Sequence, residues 1–77
     1  MGKGQTGIDN HIRTLRFHAG EMTQQELADR VGVTRQTINA IEGNKYSPSL
    51  EVAFRIARVF GEPLERVFTY RDEGGAP

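Results

Sequence analysis

Residues 23 to 42 constrain the fold of this chain most, because they carry the end signals of two short helices separated by a tight turn. Thr23 and Glu26 have the spacing of a capping box, in which a hydroxyl and a carboxylate satisfy free amide groups at a helix start. Gly32 can adopt the positive φ that ends a helix, and Thr34 is the N-cap candidate of the next one. The segment therefore predicts two helices, at about Gln24 to Val31 and about Arg35 to Glu42.

The second of these helices has one apolar edge and one edge of long polar side chains. Ile38 and Ile41 recur at helical spacing and would face a core. The other edge presents three polar side chains: Arg35, Gln36 and Asn39. Residues of these types can form paired hydrogen bonds to guanine or adenine in the major groove. A solvated helix surface is the alternative, but the two-helix arrangement favours a helix-turn-helix that contacts DNA bases through this edge.

Apolar periodicity and turn residues place three further helices along the chain. They are predicted at about Asp9 to Ala19, Ser49 to Phe60, and Pro63 to Phe68. The long fourth helix is apolar on two faces, so it should be central to the core or border a partner. Four aromatic residues with helical spacing are expected in the core or an interface: Phe17, Phe54, Phe60 and Phe68.

Residues 68 to 70 have the composition of a strand, which would pair with residues near Thr6 to Ile8. The predicted fold class is therefore all-α, a compact five-helix bundle containing a helix-turn-helix, with an optional short terminal pair of β-strands.

Length and composition bound the remaining possibilities. With 77 residues and no cysteine, we expect one domain over residues 1–77, without disulfides, and with flexible ends at residues 1–7 and 72–77. No apolar run approaches the ~20 residues of a membrane span, and no signal peptide is visible, so a cytoplasmic protein without a membrane partner is expected. Ten basic residues balance ten acidic ones. This balance disfavours a uniformly basic surface but allows one basic face.

The sequence presents no constellation for catalysis or metal binding. His11 and His18 lie seven residues apart, whereas a metal pair on a helix usually has a spacing of four, so we interpret both as surface residues. Serine and threonine residues flank helices rather than a histidine, and no glycine-rich phosphate loop follows a strand. We therefore expect a protein that is not an enzyme and uses no metal and no cofactor.

About residues 9 to 68 resemble the Cro and phage-repressor type of helix-turn-helix, the XRE family, and especially its small single-domain members. The resemblance rests on Thr-Gln-Gln-Glu-Leu-Ala at 23–28, Gly-Val-Thr-Arg-Gln-Thr-Ile at 32–38, Ile-Glu at 41–42 and Tyr-Ser-Pro-Ser-Leu at 46–50. It implies a compact five-helix bundle. One departure is the segment 17–22, which is one residue longer than in many family members.

The resemblance implies a role for each matching position. Arg35, Gln36 and Asn39 match recognition-helix positions that face bases. Contacts to the DNA backbone are implied for Gln24, Thr34, Thr37, Asn44 and Lys45, and a thymine methyl is an alternative target for the two threonines. Tyr46 in the same loop is a further backbone candidate, with packing as its alternative. Arg16 matches an arginine that pairs with a glutamate, here Glu42, although its stem could instead cover the core.

We therefore predict a sequence-specific regulator of transcription, a repressor, that binds a two-fold double-stranded DNA operator as a homodimer with the third helix in the major groove. The alternative is an antitoxin-like interaction module that neutralises a partner protein, which the zero net charge and the two apolar faces of the fourth helix favour. The predicted dimer interface comprises three apolar residues of the last two helices: Leu64, Val67 and Val59.

Overall fold

The computed structural model describes residues 7 to 71, and five helices and one two-stranded sheet form within that range. The helices are α1 (Ile12–His18), α2 (Gln24–Val31), α3 (Arg35–Glu42), α4 (Leu50–Phe60) and α5 (Leu64–Val67). The strands are β1 (Ile8–Asn10) and β2 (Phe68–Tyr70). The predicted five-helix bundle with a terminal strand pair is thus confirmed. Most of the predicted flexible ends, residues 1 to 6 and 72 to 77, lies outside the described residues.

The first helix begins at Ile12 rather than at Asp9, so its predicted start is wrong. Asp9 lies in β1, which pairs antiparallel with β2 and places Ile8 opposite Tyr70. The Asn10 side chain then accepts a hydrogen bond from the amide of Ile12 at 3.1 Å, and His11 is the residue that precedes the helix. The paired segment therefore lies slightly later than the predicted Thr6 to Ile8, and Thr6 itself is outside the described residues.

The helices α2 and α3 have the N-caps that the sequence predicts, and α2 ends at the predicted glycine. Thr23 Oγ1 accepts from the Glu26 amide at 3.0 Å, and Glu26 Oε1 accepts from the Thr23 amide at 2.9 Å. Gly32 adopts a φ of 88° and ends α2. Thr34 then caps α3 by accepting from the amide of Thr37 at 3.1 Å. Side-chain and glycine caps thus fix where both helices begin and where α2 ends.

Each of the five helices contributes at least one fully buried apolar side chain to a single core. These residues are Ile12, Leu27, Ile38, Ile56 and Val67, all with 0% exposure. Burial of each such side chain contributes roughly 1.5–3 kcal/mol relative to an exposed position. Because α2, α3 and α4 share this core, the angle at which α3 is presented depends on the packing of the whole bundle.

Not every predicted apolar face is covered. Phe60 and Phe68 pack against the core, whereas Phe17, Leu50 and Phe54 remain 63%, 67% and 50% exposed. Phe17 follows the core residue Ile12 by five positions, which turns it away from the buried stripe of a helix. Phe17 and Phe54 therefore lie outside the core of the protomer, and for these two residues the interface half of the prediction stays a prediction.

Val67 also differs from its predicted place. Its side chain is fully buried, and its carbonyl accepts a hydrogen bond from the His11 amide at 2.9 Å. The helix α5 is a single turn, so the face that carries Val67 is the face that packs on the core. The prediction that Val67 borders a dimer partner is therefore corrected, while Leu64 and Val59 stay half-buried at the core margin.

None of the helices within residues 7–71 has the length and apolar character needed to cross a membrane.

Candidate nucleic-acid interface

One face of α3 is polar and uncovered by the rest of the described chain. Arg35, Gln36 and Asn39 are exposed, whereas Ile38 and Ile41 on the opposite side are buried. The predicted division of the helix into a core edge and a polar edge is therefore present. These three predicted base-contact residues lie together on the exposed side of α3, as contact with a groove requires.

Arg16 and Glu42 form a two-point ion pair that joins α1 to the C-terminal end of α3. Arg16 Nε donates to Glu42 Oε2 at 2.7 Å, and Nη2 donates to Oε1 at 3.1 Å. The two side chains are only 15% and 10% exposed. Arg16 Nη1 also donates to the Met22 carbonyl at 2.7 Å. One guanidinium therefore holds α1, α3 and the segment that leads into α2.

Gln24 extends this ion pair to the polar edge of α3. Its Nε2 donates to Oε1 of Glu42 and to Oδ1 of Asn39, each at 3.2 Å. Both amide hydrogens of Gln24 are thus used inside the protein, although the resemblance implies a contact of this residue with the DNA backbone. Gln24 therefore connects Asn39, a predicted base-contact residue, to the ion pair of Arg16 and Glu42.

The loop after α3 contains two predicted backbone contacts with different surroundings. Asn44 has a φ of 59°, and its side chain donates to Asp9 Oδ1 at 3.0 Å and accepts from Asn10 Nδ2 at 3.1 Å. This side chain therefore fastens the loop to β1. Lys45 is exposed and makes no ion pair among residues 7–71, so its ammonium group remains available to a ligand.

Three other predicted backbone contacts lie at the margins of this surface. Thr34 is exposed and Thr37 is half-buried, and their hydroxyl oxygens lie 3.0 Å apart. Tyr46 is 52% exposed. These side chains have open faces, but Thr34 already accepts one hydrogen bond in its capping role.

A cleft of about 630 Å³ lies between α1 and the C-terminal half of α3. Asn39 and Lys45 line it on one side, and Arg13 and Thr14 of α1 line it on the other. Arg13 is a cleft residue that is absent from the predicted contacts. The available signal was its position three residues before Arg16, which places both arginines on one face of α1.

The distribution of charge makes this cleft basic although the chain is neutral overall. Three cationic side chains line it against one carboxylate: Arg13, Arg16 and Lys45 against Glu42. Arg16 neutralises Glu42, so Arg13 and Lys45 are left without an ion-pair partner among the described residues. The cleft therefore has the charge expected of a surface that binds an anionic backbone.

The comparisons with known proteins agree with this architecture. Residues 12–67 match the model of the helix-turn-helix family. The chain belongs to that family, in its XRE-type branch, and the predicted resemblance is confirmed.

Two relatives and one solved structure illustrate the similarity. An uncharacterized HTH-type transcriptional regulator of Methanothermobacter thermautotrophicus is 55% identical over 67 residues, 82% of this chain and 97% of the relative. The cryptic phage CTXphi transcriptional repressor RstR of Vibrio cholerae is 33% identical over 57 residues, 74% of this chain and 50% of the repressor. The crystal structure of a candidate DNA-binding protein from Bacteroides fragilis has the same fold, with a TM-score of 0.69 at 22% identity, covering 80% of this chain and 98% of that one.

Replacing Glu42 by alanine should lower the free energy of unfolding by ~3 kcal/mol, because Arg16 would keep its charge in a largely buried place without a carboxylate. Glu51→Ala is the matched control, since it removes the partner of Arg55 from an exposed pair at 2.8 Å, worth only ~0.3–0.5 kcal/mol. Urea denaturation followed by circular dichroism measures both. Equal losses in the two variants would show that burial adds nothing to the Arg16 pair.

Proposed function

We propose that this protein is a sequence-specific DNA-binding regulator of transcription, a repressor that occupies a two-fold operator as a homodimer. The observation that carries the proposal is the exposed polar edge of α3, with Arg35, Gln36 and Asn39 beside the basic cleft. Family membership supports it, as do the names of the relatives, which include HTH-type transcriptional regulators and a phage repressor.

In the proposed complex, α3 lies in the major groove with its N-terminal end deepest. Arg35 stands at that end, where its planar guanidinium would donate two hydrogen bonds to O6 and N7 of a guanine. Gln36 and Asn39 would contact neighbouring bases. Because direct base contacts distinguish sequences while phosphate contacts do not, these three residues would determine operator choice.

The DNA backbone would run along the cleft. Lys45 on one wall and Arg13 on the other would each neutralise a phosphate and release condensed counterions, which makes binding depend strongly on salt. The first turn of α2 would direct its amide groups at another phosphate, as helix N-termini commonly do. Thr34, Thr37 and Tyr46 lie where they would add polar contacts. Asn44 would act indirectly, by holding the loop that carries Lys45.

Repression in this proposal is occupancy of a promoter. A dimer seated on an operator that overlaps the polymerase site would exclude polymerase while bound. The strength of repression would therefore follow the affinity for the operator relative to the many competing non-specific sites.

The dimer would use apolar surface that α4, α5 and the sheet leave uncovered. Leu50 and Leu64 line a shallow, mostly apolar groove of about 290 Å³ together with Ile8, Pro48, Ala53 and Phe68. The exposed Phe54 lies one helical turn after Leu50. A contiguous apolar patch on a small domain is typical of an interface. A second copy is the occupant we propose, because a two-fold operator needs two α3 helices held about 34 Å apart.

Arg35→Ala should cost ~1–3 kcal/mol on the preferred duplex and relax the preference at one base pair. Lys45→Ala should instead weaken all sequences alike and reduce the slope of log affinity against log salt by about one. Fluorescence anisotropy with the gene's own promoter duplex and a scrambled duplex, at several salt concentrations, measures both effects. Equal losses on both duplexes from both variants would contradict the assignment.

A wild-type protein that binds no duplex specifically but captures a protein partner would favour the antitoxin-like alternative.

Arg13→Ala should reduce the salt slope by about one, as Lys45→Ala does, without changing base preference. The control is Arg30→Ala, which removes the same charge from an exposed site at the end of α2, outside the cleft. The same anisotropy series measures both. If the two arginine variants lose equal affinity, the cleft has no special part in binding and only overall charge matters.

Leu50→Glu should give a folded monomer with much weaker operator binding, since a carboxylate would replace the most exposed apolar side chain of the proposed interface. Phe17→Glu introduces the same charge at a similarly exposed aromatic residue on α1, and this control should remain dimeric. Sedimentation velocity at micromolar concentration distinguishes the two states. A dimeric Leu50→Glu variant would place the interface elsewhere, and a monomeric wild type would remove the proposed dimer.

A further inference from the structure

We propose that Gln24 is a positioning residue that decides which end of the Asn39 amide faces the DNA, so that Asn39 reads its base as a hydrogen-bond donor. This inference rests on the proposed function, because it assumes that α3 lies in the major groove. It concerns the specificity of a contact rather than its existence.

Glu42 is held in a bidentate ion pair with Arg16. An ionised carboxylate can only accept hydrogen bonds. Gln24 lies against Glu42 Oε1, and an amide oxygen placed there would face another acceptor. The Gln24 side chain must therefore turn its NH2 group to Glu42, as the 3.2 Å contact from Nε2 has it.

The same NH2 group then determines the orientation of the next amide. Its second hydrogen points at Asn39, and only the Asn39 oxygen can accept it, at 3.2 Å. The Asn39 NH2 group has no hydrogen-bond partner within residues 7–71, and the side chain is exposed. Arg16 therefore orients the Asn39 amide indirectly. Arg16 holds Glu42, Glu42 orients the Gln24 amide, and Gln24 orients the Asn39 amide.

This direction has a consequence for base preference. Guanine, adenine and thymine each present an acceptor in the major groove, whereas cytosine presents only the donor at N4. A free asparagine amide can rotate to match either a donor or an acceptor. With its oxygen held by Gln24, Asn39 would offer NH2 hydrogens to the base it faces and would disfavour cytosine there.

Gln24 need not contact the base or the backbone to have this effect. Both of its amide hydrogens are used within the protein. Replacement by methionine keeps the length of the side chain and removes the donor. Replacement by lysine keeps donor hydrogens for both Glu42 and Asn39, so it should preserve the orientation of the Asn39 amide while adding a charge.

The test measures affinity for operator duplexes carrying all four bases at each half-site position. The position read by Asn39 is located first, as the one whose preference disappears in Asn39→Ala. At that position, the wild type should bind cytosine about tenfold more weakly than its best base, which corresponds to the discrimination of one good base contact. Gln24→Met should reduce this ratio to about twofold, and Gln24→Lys should retain it while raising affinity for every duplex. In Gln24→Met the Asn39 amide would be free to rotate, because its oxygen loses its donor. In Gln24→Lys the lysine ammonium would still donate to that oxygen.

Gln25→Met is the matched control, because Gln25 donates to Asp29 at 2.8 Å on the exposed side of α2, and it should leave the ratio unchanged. An unchanged ratio in Gln24→Met, or a wild type that prefers cytosine at this position, would overturn the inference while leaving sequence-specific binding intact. A wild type with no preference at any position would overturn the proposed function and this inference together. If Gln24→Met fails to fold, Gln24→Ala removes the same donor from a half-buried position, and it should reduce the ratio in the same way.

Discussion

The ion pair between Arg16 and Glu42 is the interaction on which the geometry of this protein depends. It is largely buried, and a buried charge is tolerated only when it is paired and hydrogen-bonded. Each partner therefore requires the other, and each belongs to a different helix. Since Arg16 also binds the Met22 carbonyl, the relative placement of α1, α2 and α3 is tied to one planar group with fixed donor directions.

This pair also explains how a chain of zero net charge can present a basic surface. Glu42 would otherwise place a carboxylate beside the polar edge of α3, where it would repel phosphates. Arg16 neutralises it, so Arg13 and Lys45 dominate the cleft. Net charge, summed over the chain, hides this arrangement, because what a ligand meets is the local field of one face.

The predictable features were those encoded by neighbouring residues. The ends of α2 and α3 follow from caps within a few positions, at Thr23, Gly32 and Thr34, and the structure has them as expected. The start of α1 was predicted too early because Asp9 and Asn10 pair with β2, almost the whole chain away, and helical periodicity does not show where that strand ends. The burial of Val67 and the internal bonds of Gln24 and Asn44 likewise depend on packing between elements. Periodicity identifies an apolar or polar residue, but its partner is set by the assembled bundle.

The strand pair brings the two ends of the described part of the chain together. Across it, the Arg71 amide donates to the Gly7 carbonyl at 2.7 Å, so the first and last described residues meet side by side. The five helices thus lie on a loop of chain whose two ends emerge at one point of the surface. The helices could therefore follow one another along the chain from a different starting point and still pack in the same arrangement. A short linker across this point, with a new opening in an exposed turn, would give a circular permutant in which every helix keeps its neighbours in space.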